Sequence, residues 1–166
     1  MESYSQTGRF YRLVRRTAAT RPMARLFGVI QEPIDRVVYR ISRGRLTASS
    51  WLGGLEVSML TTTGARTGRS RTLPVLALPE GESMLLVASN FGRSRNPSWY
   101  HNLRANPRAT IVFAGTRREV VARELCGPER ERGYRRAEEL FPAFTHYRRW
   151  APNRQIPVLC LETKGT

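Results

Sequence analysis

Two strand-like runs, 56–62 and 72–78, are joined by a short polar turn, and that pairing constrains the fold more than anything else in the chain. A connection this short lets the two strands lie only antiparallel, because a parallel return needs a crossover of about a dozen residues or more. The turn reads TTTGARTGRSR over 61–71 and is bracketed by Gly64 and Gly68. Glycine tolerates φ > 0, so the backbone can fold tightly there and approach a ligand closely. Arg66, Arg69 and Arg71 stand in and just after the turn, among the hydroxyls of Thr63, Thr67 and Ser70. Guanidinium forks, hydroxyls and free backbone N–H groups in a concave turn are the parts of an anion site for phosphate or carboxylate. The pattern is not a Walker loop, since no Gly-Lys-Ser/Thr follows the second glycine and a strand, not a helix, comes next. An exposed basic hairpin turn accounts for the same residues.

Four more strand-like runs follow at 83–89, 110–114, 117–124 and 156–162, with turn signals at 79–82 and at Gly115-Thr116. Helical patterns occupy 98–104, between Asn96-Pro97 and Asn106-Pro107, and 128–140, with Glu129 and Glu131 in the first turn, where the helix dipole favours acids. Six short strands, mostly in hairpins, predict a mainly β chain of α+β type: a small barrel with peripheral helices rather than a parallel sheet. The stretch NFGRSRN over 90–96 is a second turn bearing glycine and arginine. It leads into a helix N-terminus, a favourable place for an anion.

Residues 1–50 read as a basic amphipathic helical arm, with the barrel over 51–166. Ten arginines stand against Glu2, Glu32 and Asp35 in 1–45, while Phe10, Leu13 and Val14, and Ile34, Val37, Val38 and Ile41, have helical spacing. Such an arm suits a membrane surface, and it equally suits a cap packed on the barrel. The formal net charge of +15 draws anionic partners. Of the 28 basic residues, however, all but Lys164 are arginine, a bias that codon usage alone can produce. No RNA- or DNA-reading motif accompanies the charge, so nucleic acid is not an expected partner. Cys126 and Cys160 are far apart with no histidine beside either, so both are expected to be buried free thiols, and no metal site is expected. No apolar run approaches the roughly 20 residues of a membrane span, and no signal-peptide core is present, which predicts a cytoplasmic protein.

Three stretches carry a family resemblance. The string LTTTGARTGRSRTLP (60–74), the pair ASNFG (88–92) and NPSWYHNLRANP (96–107), and the segment FPAFTHY (141–147) followed by RQIP (154–157) resemble signatures of the nitroreductase-family oxidoreductases that use the deazaflavin coenzyme F-420. The resemblance implies a split β-barrel akin to FMN-binding barrels, with coenzyme F-420 as the cofactor and FMN as the alternative. By the same resemblance, Arg66 and Arg71 clamp the coenzyme's phosphate and acidic tail, and Thr67 and Gly68 offer a hydroxyl and a backbone N–H. Pro74 and Val75 would lie against the ring, Ser89 and Asn90 would face its reactive region, and Trp99 and Asn102 would hold it from the helix. Ala65 departs from the family, which often has a basic residue there, and Arg69 stands close enough to compensate.

The implied reaction is hydride transfer to a hydrophobic, electron-poor acceptor such as a quinone, enone or nitro compound. Tyr147 is the expected polar group at the acceptor, with Ser89 and His146 as further candidates; His101, mid-helix, is read as structural. Phe141 and Phe144 stand where nitroreducing relatives carry tyrosines. Weak nitroaromatic activity is therefore expected, with a gain on Phe144→Tyr. A homodimer, and peripheral contact with an anionic membrane at its inner face, remain open, as does a non-catalytic basic module.

Overall fold

The structure, a computed structural model, describes residues 57–163. The arm expected over 1–50 lies outside them. Six antiparallel strands close into a barrel: β1 (Val57–Thr63), β2 (Ser70–Glu80), β3 (Ser83–Val87), β4 (Arg108–Phe113), β5 (Thr116–Glu124) and β6 (Val158–Thr163). Their order around the barrel is β1-β2-β3-β6-β5-β4, with β4 returning to β1. Each hairpin follows from its turn. Ala114 and Gly115 both have positive φ, the pairing that matches the right-handed twist of two strands joined by two residues. Gly81 does the same between β2 and β3.

Helix α1 (Ser98–Ala105) begins after Pro97 and stops before Pro107, which disfavours helical geometry in the residue ahead of it. It lays Trp99, Tyr100 and Leu103 into the barrel core beside Leu60, Val75, Leu86, Ile111 and Leu161. Helices α2 (Gly127–Leu140) and α3 (Ala143–Trp150) cover the barrel's other side. There Tyr134, Ala137, Phe144 and Tyr147 pack with Leu85, Val87, Val158 and Cys160 in a second core. Strands β3 and β6 feed both cores with alternate residues. This explains why they read as unbroken apolar runs in which period-2 patterning is invisible.

Three differences from the sequence reading have physical causes. Strand β3 stops at Val87, because the residues after it turn into a left-handed bend. Residues 143–150 form a helix that the sequence reading did not assign. Cys126 is exposed, whereas Cys160 is buried as expected. Cys126 lies at the end of the strand-to-helix link, outside both cores.

Candidate functional site

The glycine-bracketed turn is folded on itself. Gly64 N–H donates to Arg69 O at 2.8 Å, Gly68 N–H to Gly64 O at 2.8 Å and Thr67 N–H to the same oxygen at 3.2 Å. Thr67 Oγ1 accepts a long bond from Arg69 N–H at 3.4 Å. Gly68 has φ +66 with open space around it, so conformation requires glycine there. Gly64 is closely packed: a β-carbon would stand 2.8 Å from Thr67 Oγ1 and 3.1 Å from Arg69 O, so the turn would have to shift to admit one. The expected cradle of free amides, including the Gly68 N–H, is therefore replaced by internal hydrogen bonds. What faces outward is side chain: Arg66, Thr67, Arg69 and Arg71 are all exposed. Arg123, Arg136 and Arg148 each pair with a glutamate, but the turn's three arginines make no ion pair among the described residues.

Asn102 ties this turn to the barrel. Its Oδ1 accepts from Ala65 N–H at 3.0 Å and its Nδ2 donates to the buried Thr62 Oγ1 at 3.0 Å. The residue expected to grip the coenzyme thus uses its amide on the chain, at the residue just before Arg66. Pro74 is half-buried on β2. Val75 and Trp99 are each 7% exposed and pack in the barrel core. His101 is exposed, edge-on to Tyr100.

A second group forms at the junction of the β3 end and α3. Asn90 and Phe91 have φ of +46 and +56, and Gly92 follows at +71. Side chains rarely adopt such left-handed backbone, and Phe hardly ever. The bend is pinned on several sides. Asn90 Nδ2 donates to Arg95 O at 2.9 Å, and Gly92 N–H donates to Ser89 O at 3.0 Å. Arg154 reaches Ala88 O, Ser89 O and Asn96 Oδ1. A β-carbon on Gly92 would stand 2.9 Å from Trp150 Cβ. The Phe91 ring meets Tyr147 edge-on at 6.0 Å. Ser89, Asn90 and Tyr147 are thereby brought into one neighbourhood.

Tyr147 is 4% exposed, and burial pushes its pKa up to about 12. Its hydroxyl stays protonated at neutral pH, which makes it a hydrogen-bond donor and a weak acid. His146, its neighbour in sequence, has its ring tilted against Trp150 at 6.0 Å, and Trp150 also meets Tyr147 at 5.6 Å. Phe144 is buried among Tyr134, Phe141 and Tyr147. Arg154, whose position was singled out only as part of a motif, has no local sequence signal, because its acceptors lie 58 to 66 residues upstream.

A family profile described as "F420H(2)-dependent quinone reductase" matches residues 34–163, starting within the expected arm. The chain is 36% identical over 107 residues to the F420H(2)-dependent quinone reductase Rv1261c of Mycobacterium tuberculosis, covering 64% of this chain and 70% of that one. Among solved structures it is similar to an F420-H2 dependent reductase (FDR-A), with TM-score 0.59, 36% identity and coverage of 64% of this chain and 93% of that one. It is also similar to a structure described as a domain-swapped dimer, with TM-score 0.62, 32% identity and coverage of 76% and 95%. With the family profile matching residues 34–163, most of its length, this chain belongs to the F420H(2)-dependent quinone reductase family.

Proposed function

We propose that the protein passes a hydride from reduced coenzyme F-420 to a quinone-type acceptor, holding the coenzyme's anionic end at the Gly64–Gly68 turn and its ring near Ser89 and Asn90. The observation that carries this reading is the clustering of three exposed guanidinium groups, Arg66, Arg69 and Arg71, on one glycine-bracketed turn, with no ion pair to any of them among the described residues. Such a set is complementary to phosphate and to a chain of carboxylates. When bound, the deazaflavin supplies the hydride. The protein's contribution is to bind, orient and exclude water. Pro74 offers a rigid wall on β2, and Tyr147 offers a protonated hydroxyl to an acceptor carbonyl. No described helix is long and apolar enough to cross a membrane. Similarity to a domain-swapped dimer makes a homodimer the assembly to look for in solution.

The test is fluorescence titration with coenzyme F-420 and with FMN, followed by turnover with a menaquinone-like acceptor. Each charge-assisted hydrogen bond contributes about 1.5–3 kcal/mol. Arg71→Ala should weaken coenzyme binding by roughly ten- to a hundredfold, and Arg66→Ala should act likewise. Affinity should also fall steeply with salt, since the turn presents charge rather than amides. Wild-type affinity in the Arg66→Ala/Arg71→Ala protein, or tighter binding of FMN than of coenzyme F-420, would overturn the proposal.

A further inference from the structure

Arg154 lies between α3 and β6, and its guanidinium reaches back into the bend after β3. Its Nη1 donates to Ala88 O at 3.1 Å and to Asn96 Oδ1, and its Nη2 donates to Ser89 O at 2.7 Å. Two consecutive carbonyls and the far end of the same loop are thus held by one planar fork. The placement is unfavourable for the arginine itself. It makes no ion pair among the described residues, its Nε is buried without a partner, and burial lowers its pKa from the ordinary value. A half-buried guanidinium that has no carboxylate and leaves its Nε without a partner gives the fold little net stability, so its three bonds to the bend are better read as shaping it.

What the fork does achieve is conformational. The orientation of the peptide planes carrying Ala88 O and Ser89 O fixes the backbone entering Asn90 and Phe91, the two non-glycine residues held at φ +46 and +56. A bend of that kind persists only where its surroundings over-determine it. Arg154 joins the entry of the bend, at Ala88 and Ser89, to its exit at Asn96. Asn90 Nδ2, bonded to Arg95 O, and the Gly92 contact with Trp150 fix the middle and the outer side.

We infer that Arg154 is a positioning residue, whose fork on the Ala88 and Ser89 carbonyls keeps the left-handed Asn90–Gly92 bend in the one shape that sets Phe91 against Tyr147 and carries Ser89 and Asn90 into that neighbourhood. The role in turnover rests on the reading of this neighbourhood as the ring and acceptor end of the site; the role in shaping the bend does not. A lysine cannot replace the fork. Its ammonium is a point charge without the planar pair of donors that spans two carbonyls and an amide.

The experiment compares wild type, Arg154→Met and Arg154→Lys by hydrogen exchange at the Gly92 and Arg93 amides, by coenzyme affinity and by kcat with a menaquinone-like acceptor. Those two amides bond to Ser89 O and Asn90 O, so their protection reports the bend directly. In both variants exchange there should quicken by about tenfold or more, and kcat should fall by about tenfold or more, as misplacement of a reacting neighbourhood does. Coenzyme affinity should change by less than about threefold, because Asn102 holds the anion turn independently. Unchanged protection in a folded variant overturns the inference, and so does unchanged kcat. Full recovery by lysine also overturns it, since charge would then suffice without the fork. If wild type shows no turnover dependent on coenzyme F-420, the proposed function fails, and the exchange data alone decide the clamp. If the methionine variant does not fold, the lysine variant decides it on the same readouts.

Discussion

Replacing Asn102 with alanine removes a side chain that bonds both the anion turn and the barrel wall. Two hydrogen bonds of 3.0 Å are lost. The Ala65 N–H is exposed and can turn to water, so that bond accounts for about 0.5–1 kcal/mol. Thr62 is 2% exposed, and its Oγ1 would lose its donor in a site that water reaches poorly, a loss of about 1–2 kcal/mol. Together the change is about 2 kcal/mol of stability, or roughly 6–12 °C in Tm for a domain of this size. Affinity should fall as well. Arg66 directly follows the tethered Ala65, and once the tether is cut, binding must order that backbone at about 1–2 kcal/mol per residue, which is about tenfold or more in Kd. Asn102→Asp separates the two effects. A carboxylate can accept from both Ala65 N–H and a reoriented Thr62 hydroxyl, so stability should stay within about 1 kcal/mol of wild type. The new negative charge beside Arg66 competes with the ligand, so affinity should still drop. Thermal melts and coenzyme titrations of both variants provide the measurement. An alanine variant that melts like wild type, or one that loses stability yet binds the coenzyme as tightly, would refute the tether.

Two further outcomes follow from the second core. Phe144 is 4% exposed with aromatic rings on three sides, so the hydroxyl of Phe144→Tyr would be buried without a partner and should lower stability by about 1–3 kcal/mol. Nitroaromatic activity should instead rise in Phe141→Tyr, at a half-buried position; a gain at 144 with none at 141 would reverse this assignment. Tyr134 and Tyr147 both titrate near 12 in the folded protein against 10.0 when unperturbed, because burial disfavours the phenolate. The unfolded chain therefore loses these protons first. Stability should hold below pH 10 and fall between pH 10 and 12, by up to about 1.4 kcal/mol per pH unit for each tyrosine. Denaturant melts of Tyr147→Phe across that window should show a shallower decline, and an unchanged slope would exclude Tyr147 as a contributor.

The hairpin around 61–71 was legible because a short turn between two β-rich runs permits only one pairing, and because glycine and arginine announce tight backbone and charge wherever they stand. The same holds for α1, bounded by Pro97 and Pro107, and for the number of strands. These are local constraints, carried by residues a few positions apart. Helix α3 was not legible, since FPAFTHY joins a proline to a run of aromatics and becomes helical by packing on α2 and β3 rather than by its own propensity. The division of labour in the site was hidden for a related reason. Whether Val75 and Trp99 face a ligand or the core depends on which way the barrel closes. Whether the turn's amides are free depends on how its ends meet. Asn102 and Arg154 find their partners 37 and 66 residues away. Sequence fixes which donors and acceptors exist, but only closure of the barrel brings the distant ones within hydrogen-bond reach, and so decides which groups are left for a ligand.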